Sequence, residues 1–317
     1  MSTAIPQQMK AVVIDRYGGP EVLHVATLPV PSPKADEVLI RLVAAGVGVW
    51  DPEVRSGEFE IGERRFPKVI GNDGAGEAMA VGSGVKRVRP GDQVYAYSME
   101  GGFDAEYVAV KQEQVATVPS GISPEQAGAL GADGVTALSG LEDALHLRRG
   151  EKLLVFGASG GIGHLAVQLA KRLGAEVFAV ASGEDGVALV RRLGADQAVD
   201  GKHGAVVDAL RSFAPQGLDA ALVLTSGKGL DAALGQLRKD GRIAYPNGVE
   251  PEPHGPKGVS IMAYDGESGP EALDRLNALI SQGPFHVEVR FYPLEEAAQA
   301  HRDVQKHHLG KLAFRMR

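Results

Sequence analysis

The sequence predicts an α/β fold in two parts, a small domain of short strands followed by a doubly wound parallel sheet with helices between its strands. Three observations predict it. Residues 152–163 read Lys-Leu-Leu-Val-Phe-Gly-Ala-Ser-Gly-Gly-Ile-Gly, a short apolar run that enters a turn carrying Gly157, Gly160 and Gly163. From Ile162 onward Leu165, Ala166, Leu169, Ala170 and Leu173 keep helical spacing on one face, so the run reads as strand, turn and helix. Around this stretch, residues 124–263 alternate strand and helix patterns, whereas the first third alternates strands with Gly and Pro turns.

A glycine turn between a buried strand and an amphipathic helix lets a pyrophosphate approach the backbone. The phosphate then rests on unpaired N–H groups at the positive end of the helix dipole. Gly157, Ala158, Ser159, Gly160, Gly161, Ile162 and Gly163 are therefore the expected cradle of a dinucleotide. In such folds an acid about 20 positions after the first glycine grips the adenosine ribose and repels a 2′-phosphate. Here the second strand ends Val180-Ala181-Ser182-Gly183, with no acid. Ser182 can hydrogen-bond a phosphate, so NADPH is expected rather than NADH.

In order, strands are expected at Ala11–Asp15, Val22–Leu28, Glu37–Ala45, Ala75–Val81, Gln93–Tyr97 and Phe103–Val110. Short strands at this spacing suggest a small, irregular β-barrel. The first helical signal is Ser123, a candidate N-cap followed by Pro124, Glu125 and Gln126. Beyond the glycine turn come strands at Glu176–Val180, Gln197–Val199, Leu218–Leu224, Arg242–Tyr245 and Val259–Ala263. Helices lie between them around 185–193, 205–213 and 230–237. The chain closes with a helix at 270–282, the strand Val287–Tyr292, a helix at 294–305 and the strand Leu312–Arg315. The expected division is a first domain, 1–123, completed by 264–317, and a nucleotide-binding domain at 124–263.

Bulk composition narrows the function further. The chain has 317 residues, 44% hydrophobic and 23% charged, which is ordinary for a water-soluble globular protein and suits about two domains. A net charge of −7 argues against a nucleic-acid or anionic-lipid partner. No apolar run approaches the roughly 20 residues of a membrane helix, and the N-terminal residues lack a signal-peptide core, so a cytoplasmic location is expected. Cysteine is absent, which removes disulfides, thiolate nucleophiles and every Cys-containing zinc site.

Ala45-Gly46-Val47 leading to Asp51, Gly71-Asn72-Asp73-Gly74-Ala75-Gly76, Val81-Gly82-Ser83-Gly84-Val85, Pro90-Gly91-Asp92 and the glycine turn resemble, in order, the medium-chain dehydrogenase/reductase superfamily. Within it the chain is most similar to the zinc-free quinone oxidoreductase branch, which includes zeta-crystallin. The resemblance implies a GroES-like irregular β-barrel domain beside a Rossmann domain. It places Thr136 and Asn247-Gly248 near the nicotinamide, with Leu224 and Thr225 at the exit of the fourth strand. The catalytic-zinc positions of the superfamily fall on Gly48, Asn72 and Ala132, none a plausible ligand, so no metal is expected. His301, His307 and His308 are expected to be solvated on a terminal helix.

Without a Lewis acid, an alkoxide formed from a simple alcohol or carbonyl would be unstabilised. Conjugated acceptors spread the incoming charge into an enolate or hydroquinone. The expected reaction is therefore hydride transfer from NADPH to a quinone or α,β-unsaturated carbonyl. Trp50, Asn72, Tyr97 and Tyr264 are the candidate substrate-binding residues, and Tyr97 and Asp133 the candidate proton donors. The quinone reductases it resembles carry Asn and Tyr where this chain has Gly48 and Glu53. Two alternatives stay open: an enoyl-thioester reductase, for which Arg64, Arg65 and Lys68 would form a basic entrance, and a non-catalytic NADPH-binding sensor or structural protein. The relatives pair through the edge strand of the nucleotide domain, here 259–263, which implies a homodimer.

Overall fold

Gly and Pro punctuate the first third closely, so most of the strands between them are short. The computed structural model describes residues 4–62 and 64–316. In chain order it begins with β1 (Gln8–Ile14), β2 (His24–Pro29), β3 (Glu37–Val47), α1 (Asp51–Ser56), β4 (Lys68–Val69), β5 (Asp73–Val81), β6 (Gln93–Tyr97), β7 (Tyr107–Lys111) and β8 (Val115–Thr117). Next, α2 (Pro124–Ala127) and α3 (Gly131–Leu138), which runs on into a π-helical stretch at Ser139–Ala144, lead to β9 (Lys152–Phe156). Strand and helix then alternate through α4 (Gly161–Arg172), β10 (Glu176–Ala181), α5 (Gly183–Arg192), β11 (Gln197–Asp200), α6 (Val206–Phe213), β12 (Leu218–Val223), α7 (Leu230–Leu234), β13 (Leu237–Pro246) and β14 (Ser260–Tyr264). The last elements are α8 (Pro270–Ile280), β15 (Val289–Pro293), α9 (Ala297–Asp303) and β16 (Lys311–Arg315).

Packing divides the chain into two units, Met1–Ala132 with Ser268–Asn277 and Val289–Arg317, and Asp133–Glu267 with Ala278–Glu288. In the first unit, β2-β1-β4 form one sheet and β15-β16-β3-β5-β6-β8 another, in which β7 also pairs with β3. The C-terminal β16 lies antiparallel to β3, Leu312 opposite Val47 and Phe314 opposite Ala45. Val12, Val38, Ile40, Val94, Phe103, Leu312 and Phe314 are buried between these sheets. Each such side chain contributes about 1.5–3 kcal/mol by leaving water.

The second unit holds the parallel sheet, in the order β11-β10-β9-β12-β13-β14. This is the doubly wound order of a dinucleotide fold, in which the sequence reverses direction beside the first strand. Leu154, Phe178, Leu210, Val223, Leu234 and Ile243 form the core on one face. Registers place Phe156 opposite both Val180 and Val223, and Pro246 opposite Tyr264, so the strands end nearly flush. Among the described residues no helix is long and apolar enough to cross a membrane.

Most expected elements lie within a few residues of their predicted bounds, and Ser123 caps α2 with the reciprocal Ser123–Gln126 box. Two helical elements differ from expectation. The expectation that the first helix follows Ser123 is corrected by α1, whose Asp51-Pro52-Glu53 start and left-handed Gly57 cap make one turn and a half too short to show periodicity. The helix α3 with its π extension is buried on several sides, and its run of Ala, Gly and Leu has no polar face to announce it.

Candidate functional site

The glycine turn is built to leave backbone N–H groups exposed at a helix start. Gly157 adopts φ +90°, a left-handed value that only glycine takes cheaply. Its N–H and that of Ala158 both donate to the Val180 carbonyl, at 3.0 and 2.9 Å, which seats the turn across the end of β10. A Cβ at Gly163 would fall on the Gly157 carbonyl oxygen and the Ala158 Cα. Gly160 is the N-cap of α4 and supplies no side chain to its first-turn donors. This cradle fits a pyrophosphate.

His164 on the first turn of α4 fixes the cradle from behind. Fully buried, it donates Nδ1–H to the Gly160 carbonyl at 2.9 Å, and Nε2 accepts the Glu288 N–H at 3.1 Å. Burial lowers its pKa, so the neutral ring is the form that can make both bonds. Gln168 adds a second tie, donating Nε2–H to the carbonyls of His164 and His286. Helix α4 is thereby fastened to the segment that re-enters this unit after α8.

The other residues expected around the cofactor stand at the same edge of the sheet. Gly157, Ser182, Leu224 and Asn247 each follow the last residue or two of a strand, β9, β10, β12 and β13. The Pro246–Val249 turn closes with Val249 N–H to Pro246 O at 3.3 Å and has Gly248 at φ +93°. Asn247 donates Nδ2–H to Asp265 at 2.8 Å, and its backbone N–H bonds Tyr264 O at 3.0 Å. Thr136 on α3 lies against Gly266, where a Cβ would strike its hydroxyl. Thr225 donates its hydroxyl to the Ser226 carbonyl, and its methyl faces Gly157.

Asp200 was missed by the sequence reading. It ends β11, and its Oδ1 accepts the N–H groups of Gly183 at 3.1 Å and Lys202 at 3.0 Å. Those backbone bonds, Lys202 first and Gly183 second, hold its pKa below the usual carboxylate range. A carboxylate therefore stands beside the Ser182-Gly183 corner although the second strand carries none. Strand pairing brings it there, with Ala181 opposite Asp200, and no local motif announces it.

In the first unit three of the expected acceptor residues are held by backbone and loop contacts. Asp51, nearly inaccessible, accepts the Gly48 N–H at 2.7 Å and so braces the loop that carries Trp50. Trp50 is half-buried, its ring 6.1 Å from that of Phe59. Asn72 precedes β5 and donates Nδ2–H to Ser98 O at 3.1 Å, while Ser98 N–H returns to Asn72 O. Tyr97 ends β6 opposite Asp73, and its hydroxyl donates to Met99 Sδ at 3.5 Å. The Asn72 amide also points to that sulfur, at 3.9 Å. Val49, Phe59 and Met99, close in sequence to Trp50 and Tyr97, are exposed apolar side chains in loops, where no period announces them.

Tyr264 and Asp133 belong to the second unit. Tyr264 is buried with its hydroxyl against Gly140 and Leu222, and burial raises its pKa far above the usual phenol value. Asp133 lies in the first turn of α3 and is half-buried. Its charge acts on His164, opposing the effect of burial there.

The positions that would hold a catalytic zinc ion do not fit one. Neither Gly48 nor Ala132 has a side chain that could ligate: the Gly48 N–H and carbonyl both bond Asp51, and the Ala132 N–H donates to Asp73 Oδ2 at 3.0 Å. The Asn72 amide is turned to Ser98 and Met99. Among the described residues no group of three His, Cys, Asp or Glu side chains could bind a metal. Two further expectations are corrected. His301 is not solvated: it is fully buried, and Arg55 Nη1 donates to its Nδ1 at 3.1 Å. Arg55 is held in turn by Gly18, whose carbonyl accepts its Nε–H. The basic entrance at Arg64, Arg65 and Lys68 also fails, because Lys68 is buried with Nζ donating to Ile61 O and Arg64 is paired with Glu60.

An irregular β domain joined to a doubly wound sheet with this glycine cradle defines a medium-chain dehydrogenase/reductase. The sequence comparisons agree. Residues 34–120 match the alcohol dehydrogenase GroES-like domain and residues 161–261 the zinc-binding dehydrogenase family. The chain is 32% identical to quinone oxidoreductase of Rattus norvegicus over 96% of both chains. It is 40% identical to the chloroplastic NADPH-dependent alkenal/one oxidoreductase of Arabidopsis thaliana over 62% of this chain and 53% of that one. A mycobacterial protein solved in complex with NADPH superposes with a TM-score of 0.81, at 28% identity over 96% of this chain and 99% of that one. The chain belongs to the quinone oxidoreductase branch of the medium-chain dehydrogenase/reductase superfamily.

Proposed function

We propose that the protein is an NADPH-dependent reductase that transfers a hydride to a quinone or an α,β-unsaturated carbonyl without a metal ion. One observation carries the reading: a dinucleotide cradle occurs in a chain whose metal positions are a glycine, an alanine and an asparagine turned to a carbonyl and a thioether. With no zinc ligands to polarise an oxygen, the acceptor must delocalise the incoming charge itself, which conjugated carbonyls and quinones do. The relatives named for quinones and for alkenals reduce that class of acceptor, according to their names.

Gly157 to Gly163 would hold the pyrophosphate, Ser182 the 2′-phosphate on the adenosine ribose, and Thr136, Leu224, Thr225, Asn247 and Gly248 the nicotinamide end. Bound there, the dinucleotide supplies a hydride equivalent. The chain's own contribution is orientation, together with hydrogen-bond donors for the oxygen on which charge develops. Trp50 walls the acceptor, Asn72 and Tyr97 offer donors to its oxygen, and Tyr264 supports this end of the sheet. The proton that completes reduction comes from Tyr97, from Asp133 or from water. If Y97F and D133N both keep full turnover with an enone, water is the source.

NADPH is preferred because Ser182 carries no charge to repel a 2′-phosphate, and a relative and a structural neighbour are both named with NADPH. Asp200, bound to the Gly183 N–H, works against that preference. We therefore expect D200N to tighten NADPH at least threefold with little change for NADH, as paired dissociation constants would reveal. Tighter binding of NADH than of NADPH by the unaltered protein would overturn the assignment. We infer a cytoplasmic homodimer.

The reading is tested by following NADPH oxidation over quinones, enones, enoyl thioesters and simple aldehydes. Consumption with the first two classes is expected. Tight NADPH binding with no consumption across the panel would instead identify a sensor.

A further inference from the structure

Met99 lies two residues beyond the end of β6 and is 47% exposed, yet its sulfur is engaged by two donors. The Tyr97 hydroxyl reaches Sδ at 3.5 Å and the Asn72 amide at 3.9 Å. These are the two polar groups assigned above to the acceptor oxygen. A thioether is a weak acceptor, so both donors are oriented at small cost and can turn to a better oxygen when one arrives. A sulfoxide at the same place would be such an oxygen, covalently fixed and strongly polar.

The other described methionines differ in one respect or the other: Met79 is half-buried against the core. Met9 and Met316 are buried. Met262 is as exposed as Met99, at 48%, but among the described residues no side-chain donor is recorded on its sulfur. Among the described residues Met99 alone combines access from solvent with donors aimed at the sulfur from residues of the candidate site.

We propose that Met99 is a redox modification site, oxidised by a peroxide to the sulfoxide, which then captures the Tyr97 hydroxyl and the Asn72 amide and weakens acceptor binding. In that step the sulfur gives up two electrons, an S–O bond forms as the peroxide O–O bond breaks, and hydrogen peroxide leaves as water. The proposed reaction generates this oxidant. A hydroquinone released to air returns to quinone, passing two electrons and two protons to dioxygen and yielding hydrogen peroxide. Futile cycling of an easily reoxidised quinone would thus raise peroxide where the enzyme works, and oxidation of Met99 would slow the cycle. Methionine sulfoxide reductases would restore the thioether, so the control is reversible.

This inference rests on the assignment of Tyr97 and Asn72 to the acceptor, and its test separates the two. The purified protein is treated with hydrogen peroxide, the site of oxygen addition is read by peptide mass, and steady-state kinetics are measured before and after reduction by methionine sulfoxide reductases. The proposal expects one oxygen on Met99, a rise of threefold or more in the KM for the acceptor, an unchanged dissociation constant for NADPH, and recovery on repair. M99L should show no such response, whereas M262L should keep it. Complete oxidation of Met99 with an unchanged acceptor KM would overturn the proposal, as would the same loss in M99L. If the untreated protein reduces none of the acceptors, the functional reading falls and melting temperature decides the remainder. Oxidation should then lower Tm less in the unaltered protein than in Y97F, because the former has the Tyr97 hydroxyl as well as the Asn72 amide to bond the sulfoxide. An equal shift in the two would show that the sulfur does not hold Tyr97.

Discussion

Asp104 is a costly side chain for the first unit to bury. It is fully buried, and neither carboxyl oxygen has a hydrogen-bond partner among the described residues. Burial, then the charges of Asp51 and Asp73, push its pKa well above the usual carboxylate value. The folded chain consequently keeps a proton that the unfolded chain loses above about pH 4, so this residue costs stability as pH rises from there toward its folded pKa. D104N is neutral in both states. It should raise Tm at pH 8 by a few degrees and make little gain at about pH 3, where the carboxyl is largely protonated in both states; thermal denaturation at the two pH values checks this. His301 has the opposite sign. Its pKa falls to about 3 through burial and then the Arg55 charge, so its stabilising neutral form is lost as pH drops from about 6.5 toward 3. Residues whose role is local were legible in the sequence: the glycines of the turn, Ser123, and Asp51 beside Gly48. The Arg55–His301 and Asp200–Gly183 contacts were not, because they join positions far apart in the chain and follow no spacing rule.

At the scale of elements, amphipathic periodicity and turn residues carried the reading. Helices α4, α5 and α6 each show one apolar face, and strands β9 and β6 have the expected bounds. Where an element is very short, as α1 is, or buried on several sides, as α3 is, the pattern that would reveal it does not exist. The glycine turn is the element on which binding depends most. G163A would press a methyl onto the Gly157 carbonyl oxygen and Ala158 Cα, both backbone atoms that cannot turn aside. It should weaken dinucleotide binding at least tenfold, measured by titration calorimetry, while leaving the far-UV circular dichroism unchanged. The π-helical stretch is also constrained, because Gly140 lies directly under the Tyr264 ring and Leu222. G140A should lower stability by about 1–3 kcal/mol, the usual cost of overpacking, as denaturant unfolding would show.

For the molecule as a whole, the alternation of strand and helix made the doubly wound sheet legible, while the candidate acceptor residues were legible only in part. Asn72 and Trp50 lie at motif positions and Tyr97 ends an expected strand, but Met99 and Phe59 sit in loops where neither period nor motif applies. The edge strand β14 bears on assembly. Ile261 and Met262 are 44% and 48% exposed on a strand with one free edge, an arrangement that invites pairing with a second copy. We expect a dimer by sedimentation, and I261K together with M262E should shift it to a monomer at micromolar concentration; an unchanged dimer would place the interface elsewhere. The central claim is direct hydride transfer to a conjugated carbon with no metal participating. The most direct measurement uses NADPH deuterated at both C4 positions, an enone and a metal chelator, with the product read by NMR. The account predicts one deuterium on the β-carbon, a solvent hydrogen on the α-carbon and a rate indifferent to the chelator. A product without deuterium at the β-carbon, or activity abolished by chelation, would contradict it.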